Sequence, residues 1–228
     1  DLFFSHAWDE GVYEFIDSAL KHWPENCHGA YFCCLSNPQC LDISALLSKV
    51  ETSPFYKVLN SEPKPRVVML ANGNTAIHER LWCVYEAHLA HRLQISVRIA
   101  GEPLHLLTGD LRDTLRLSLE AAQAAAREQR ENALNDKVDD QALVRLTAAK
   151  VKVDEAKRAV VEATDRQLIN LDKAKCTREE TDGVMIRAAI KGAKDGITSL
   201  LARLIRDVMM VEFPELFASK SFSTRSGR

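Results

Sequence analysis

The chain has 228 residues, of which 27% are charged and 46% hydrophobic, an ordinary balance for a globular protein. Its net charge of −2 gives no electrostatic reason to expect nucleic acid or an anionic membrane as partner. No apolar run approaches the roughly 18 residues of a membrane span and no signal peptide is visible; the chain begins with Asp1 inside a stretch that reads as a strand, and so reads as an excised piece, while its cysteines, read as reduced thiols, lead to a cytoplasmic expectation.

Residues 1–6 read as a short strand with a polar tip, followed by the loop Ala7-Trp8-Asp9-Glu10-Gly11. Val12, Phe15, Ile16, Ala19 and Leu20 then recur at helical spacing, which predicts an amphipathic helix over 11–22, stopped near Pro24. Residues 30–35 read as a second buried strand, with Ser36-Asn37-Pro38-Gln39 as its turn. A helical stretch over 43–50 and a short helix over 54–59 come next, closed by Pro63 and Pro65. The apolar run 66–71 is a third strand, 77–92 a third helix and 94–99 a fourth strand.

Such alternation predicts an α/β fold with a mostly parallel sheet and helices on both faces. Ligands of such sheets bind at the carboxyl ends of the strands. The tips of the first three strands would meet there with the start of the third helix, on which Trp82 and Glu86 share a face. Glu86 has two readings, an ordinary surface residue or a carboxylate facing that crevice.

Beyond Leu107 the pattern changes. Residues 110–164 contain neither glycine nor proline. Ala142, Leu146, Ala149, Val153, Ala156, Val160 and Ala163 form a heptad seam, and Leu115, Leu119, Ala122, Ala126 and Ala133 a looser one. This predicts an antiparallel helical hairpin over 110–165 with a hinge near 135–137, either a plain insertion or an arm for self-association. It divides an α/β core into 1–109 and 166–212, ahead of a tail at 213–228. The second part holds a fifth strand at 167–171, a helix from Thr177 to Ile190 opened by a Thr-x-x-Glu capping box and a last helix over 194–211.

The cysteines, Cys27, Cys33, Cys34, Cys40, Cys83 and Cys176, form no C-x-x-C pair and read as reduced, buried thiols, with a zinc site using His28 and Cys40 as the rival. His88 and His91 read as solvated helix residues rather than ligands, so no metal is expected. Neither a G-x-G-x-x-G nor a Walker loop nor a G-x-S-x-G elbow is present.

Three segments together resemble a family. Residues 1–10, Asp-Leu-Phe-Phe-Ser-His-Ala-Trp-Asp-Glu, are similar to the first strand and loop of Toll/interleukin-1 receptor (TIR) domains, whose bacterial members often begin D-V-F-I-S-H-A-S-E-D. Residues 80–86, Arg-Leu-Trp-Cys-Val-Tyr-Glu, resemble the W-C-x-x-E segment of their third helix. TIR-like proteins of protists carry S-H-W-W-G-E, A-N-N-Q and R-I-W-C-x-Y-E, and Ser5–Glu10, Leu35–Gln39 and Arg80–Glu86 stand at those places. The likeness covers residues 1–100 and, more weakly, 165–192.

The resemblance implies a flavodoxin-like three-layer domain with a five-stranded sheet. It implies either a self-associated enzyme that hydrolyses NAD⁺ at the nicotinamide–ribose bond or a non-catalytic module that binds other TIR-like domains. In the first case Glu86 is catalytic, His6, Trp8, Asp9, Asn37 and Trp82 bind substrate, and no cofactor is needed beyond NAD⁺ as the substrate. The residues themselves also allow plainer roles. His6 can bond backbone at a strand end, Trp8 can pack, and Asp9 can cap the first helix. The loop after the second strand is short, and the first loop lacks the arginine that meets phosphate in some family members.

Overall fold

The computed structural model describes residues 1–7, 11–37, 45–72, 76–134, 140–165 and 169–214. Strands β1 (Leu2–Ser5), β2 (Ala30–Phe32), β3 (Arg66–Ala71) and β4 (Val97–Gly101) form an all-parallel sheet in the order β2-β1-β3-β4, consistent with a flavodoxin-like arrangement. The register sets Phe3 beside Tyr31 and Val67, and Met69 beside Ile99.

Side-chain alternation along the strands builds two cores. Leu2, Phe4, Val68 and Leu70 face helix α1 (Val12–Lys21) through Phe15 and Ala19. Phe3, Val67, Met69 and Ala71 face the opposite core, with α3 (Pro54–Leu59), α4 (Leu81–Arg92) and α8 (Lys194–Glu212). Strands β1 and β3 are buried on both faces and so read as unbroken apolar runs. Helix α1 covers its face only narrowly, leaving Val12, Ile16 and Leu20 at 63%, 40% and 65% exposure.

The predicted elements recur with specific differences. The second strand ends at Phe32, and Cys33–Ser36 turns into a short helix, α2. Cys33 and Cys34 are therefore helical neighbours, not the two faces of a strand. Residues 45–49 are turns and bends leading to a 3₁₀ turn at Val50–Thr52, in place of the end of the helix expected over 43–50. The fourth strand starts three residues later than expected, because Gln94 takes a positive φ of 57° and Ile95 N–H bonds the Ala90 carbonyl to finish α4.

Among the described residues the sheet has four strands, not five. Ile169 and Leu171 are buried as a strand would require, yet Asn170 turns the chain there. Its side-chain oxygen accepts from Asp172 N–H at 3.1 Å and its carbonyl from Lys173 N–H at 3.0 Å. The capping box also fails. Glu179, not Glu180, accepts the Cys176 backbone N–H, and a π-helical turn, Glu179–Gly183, precedes α7 (Val184–Ile190).

Helices α5 (Gly109–Leu134) and α6 (Asp140–Asp165) pack side by side. Glu128 pairs with Arg145 at 2.7 Å, and Ala125 lies in one cluster with Leu146 and Ala149, so the two run antiparallel. Leu115, Ala156 and Val160 join the main core, whereas Ala125, Leu146 and Ala149 form a separate small cluster. The α6 seam is buried from Ala142 to Val160 as the heptad requires, with Ala163 half-buried, but in α5 Ala125 occupies the seam and Ala126 is exposed. No helix among the described residues is long and apolar enough to cross a membrane.

Candidate functional site

Helix α4 follows β3 through a 3₁₀ turn at Ile77–Glu79 and a break at Arg80, so the expected helix over 77–92 comes in two pieces. The break has a visible cause. Arg80 forms an isolated parallel bridge with Lys175, in which Leu81 N–H donates to the Lys175 carbonyl and Lys175 N–H to the Glu79 carbonyl, both at 2.8 Å. This stitch draws the segment after the hairpin over the start of α4.

Nine of the twelve residues of α4 are buried, among them Glu86 and His88. His88, expected in solvent, is 7% exposed, while His91 is exposed. The surface reading of Glu86 fails on the same ground. Its 5% exposure takes the carboxylate out of water, and this desolvation pushes its pKa up from 4.5 to about 8. The nearby Ser5 hydroxyl pulls the other way, by less, and its Oγ has no partner at hydrogen-bonding geometry. No ion pair offsets the burial of Glu86 among the described residues.

A cavity of about 260 Å³ opens onto this carboxyl group. His6 from the end of β1, Asn37 from the end of α2 and Trp82 and Glu86 from α4 line it together, which is where the sequence reading gathered them. Trp8 and Asp9 lie outside the described residues. His6 is 8% exposed, with Nε2 at 3.1 Å from Cys33 Sγ and Nδ1 at 3.3 Å from the Ala7 carbonyl. Its carbonyl accepts from the Cys83 thiol at 3.3 Å, so the ring and backbone of His6 are anchored on both sides. Asn37 accepts from the Tyr31 hydroxyl at 3.2 Å. Trp82 stacks at a tilt on Phe55, with centroids 4.8 Å apart, and its indole N–H points to Asp182 Oδ2 at 3.4 Å. The ring therefore forms a wall of the cavity rather than a lid.

Sequence reasoning missed the far wall. Lys175, Cys176, Thr177, Arg178 and Asp182 close the cavity from beyond the hairpin. Apart from the Thr-x-x-Glu pattern read as a helix start, their sequence carries no motif, and the bridge to Arg80 and the Trp82–Asp182 hydrogen bond hold them in place. A shallower groove of about 870 Å³ adjoins the cavity and shares Arg80, Lys175 and Cys176 with it.

No group of three His, Cys, Asp or Glu residues that could hold a metal ion occurs among the described residues. Cys27, Cys33, Cys34, Cys83 and Cys176 form no disulfide with one another, and Cys40, half of the rival zinc pair with His28, lies outside the described residues.

No family model, curated protein or solved structure matches this chain. A protonated or partly ionised carboxyl group in an apolar-walled hollow, beside an aromatic face and an amide, suits a cationic or ribose-bearing ligand. Burial makes the ionised form costly, so a positive charge placed beside it gains more than it would in water.

Proposed function

We propose that this protein is a TIR-like domain of flavodoxin-like, three-layer architecture that acts in the cytoplasm in a self-associated state, and that the Glu86 cavity hydrolyses NAD⁺ at the nicotinamide–ribose bond. The observation that carries the reading is a buried, unpaired carboxyl group sharing one hollow with His6, Asn37 and Trp82. The resemblance of residues 1–10, 35–39 and 80–86 to TIR segments supplies the reaction.

In that reaction the C1′–N bond breaks and its electron pair goes to the nicotinamide ring, which is thereby neutralised and needs no acid to leave. Positive charge develops on the ribose, as in glycoside cleavage. Ionised Glu86 stabilises that charge, and it does so more strongly in a partly dry site than it would in water. Water then bonds to C1′ and releases one proton, giving ADP-ribose and nicotinamide. Trp82 offers a wall for the ribose or nicotinamide, and Asn37 an amide for a hydroxyl. Trp8 and Asp9, at the mouth in the resemblance, complete the proposed set. A volume near 260 Å³ suits one end of a dinucleotide, so the remainder would lie in the adjoining groove.

The test is release of nicotinamide from NAD⁺ by the purified protein, with and without a crowding agent. The reading requires turnover that disappears in Glu86→Ala. Absence of turnover in every assembly state overturns it.

A second reading, a non-catalytic TIR-like interaction module, has one observation of its own. Val12, Ile16 and Leu20 recur at four-residue spacing along α1 and stand exposed beside Tyr13 at 86%. An exposed apolar row of this kind suits a protein partner. Loss of self-association on Ile16→Glu with NAD⁺ turnover absent in both proteins supports that reading.

A further inference from the structure

Arg80 and Lys175 stand opposite one another on the parallel bridge and both border the Glu86 cavity and the groove beside it. Adjacent strands lie about 4.8 Å apart, so the two residues start close together. Like charges directly opposite one another cost stability unless something neutralises them.

Glu79 lines the same groove, but neither it nor any other surrounding carboxylate among the described residues forms an ion pair with either cation. Arg187 is committed to Glu179 at 2.6 Å and to the Ala174 carbonyl at 2.6 Å. Asp172 is taken by Lys194. Arg178 sits 3.9 Å from Asp182, whose other oxygen receives the Trp82 indole. Among the described residues no carboxylate pairs with the side chain of Arg80 or of Lys175. Arg80 is also the N-cap of α4 and supplies no acceptor there. A cation at the positive end of a helix is the wrong sign for the dipole. Two side chains and a helix end thus add positive potential at one point, and the backbone stitch holds them there.

We propose that Arg80 and Lys175 form a clamp for the pyrophosphate of a nucleoside-diphosphate ligand, at the mouth of the Glu86 cavity. The choice of ligand rests on reading that cavity as a ribosyl-nucleotide site. The positive charge on its own requires only an anion of phosphate type. Arg80 and Glu86 are six residues apart, about 9 Å along the helix axis at 1.5 Å per residue. That is the reach of a ribose and its 5′ phosphate, so one ligand can place its ribose at Glu86 and its diphosphate at the bridge. Guanidinium and ammonium groups suit the two tasks differently: the first grips two oxygens at once and the second acts as a point charge.

The experiment is titration of the full chain with ADP, ADP-ribose and inorganic pyrophosphate by calorimetry at two salt concentrations, for wild type, Lys175→Gln and the double variant Arg80→Gln/Lys175→Gln. Glutamine keeps much of each apolar stem, and Lys175 is exposed, so Lys175→Gln leaves the fold intact. Wild type should bind ADP with an affinity that falls as salt rises. Lys175→Gln should weaken it several-fold and the double variant at least tenfold, with a flatter salt dependence. Equal ADP affinity in all three proteins, or no ADP binding by wild type, overturns the clamp.

The same proteins separate this proposal from the catalytic one. Nicotinamide riboside lacks the diphosphate, so its hydrolysis should survive both variants while that of NAD⁺ falls. Clamp-dependent ADP binding without turnover of either substrate keeps the clamp and removes the enzyme. Turnover of NAD⁺ with ADP binding indifferent to both substitutions keeps the enzyme and removes the clamp.

Discussion

Replacing Glu86 by glutamine should make the protein more stable, and by an amount that depends on pH. The carboxyl group titrates near 4.5 when the chain is unfolded and near 8 when it is folded and buried. Folding therefore favours the protonated form. Below pH 4.5 both states hold the proton and the group costs nothing. As pH rises the unfolded chain loses its proton first, so stability falls across the window from 4.5 to about 8 and then levels off. At about 1.4 kcal/mol for each tenfold change in proton affinity, the full span amounts to about 5 kcal/mol. Glutamine fills the same space, carries no charge and lacks this dependence. The gap between Glu86→Gln and wild type should be about 2 kcal/mol at pH 6 and should approach 5 kcal/mol at pH 9. Urea unfolding of both proteins at pH 4, 6, 8 and 9, fitted for midpoint and slope, measures it. Every other titrating group is common to the two proteins and drops out of the difference. A gap that stays constant from pH 4 to pH 9 would refute a desolvated, unpaired Glu86.

Other expectations follow from neighbouring features. If Glu86 acts ionised, nicotinamide release at low NAD⁺ should rise with pH through about 8 and then flatten; a profile flat from pH 6 to pH 9 contradicts the role assigned to it. His78 is 1% exposed with neither ring nitrogen bonded, and burial pulls its pKa down to about 4. Its folded value lies below the unfolded 6.5, so the stability it contributes is present above that pH and is lost as pH falls towards 4, by about 3 kcal/mol in all. In His78→Leu that acid loss should shrink, as read from thermal midpoints between pH 4 and pH 7. Gly101 has φ of +106°, and an added Cβ would stand 2.5 Å from the Ala71 carbonyl oxygen. Gly101→Ala should lower stability by about 1–3 kcal/mol in urea unfolding, whereas no change would mean that the ends of β3 and β4 are not held so closely.

The parts legible in the sequence are those where one physical requirement acts alone. Strands β1 and β3 are buried on both faces, so their apolar runs admitted no other reading. The α6 heptad was legible because helix period and burial coincide from Ala142 to Val160. Where two requirements compete, the sequence misleads. Ile169 and Leu171 alternate like a strand, but Asn170 bonds its own neighbours and turns the chain. Cys33-Cys34-Leu35 continues the apolar run of β2, yet Leu35 is 68% exposed once the chain coils into α2. The Glu86 side of the cavity could be read because local motifs place it at the ends of successive strands. The Lys175–Asp182 side could not, since contacts between distant parts of the chain, the hydrogen-bonded stitch to Arg80 and the Trp82–Asp182 bond, bring it there.

The hairpin interrupts the chain between those two halves, and this has a consequence for synthesis. Everything that α4 contributes leaves the ribosome well before Lys175 does, because the two long helices must be made in between. Until then Arg80 has no bridge partner, and the hollow beside Glu86 stands open on one flank. A nascent chain that ends before Lys175 should consequently lack the closed cavity, which should arrive late and abruptly, once the residues beyond the hairpin have been made.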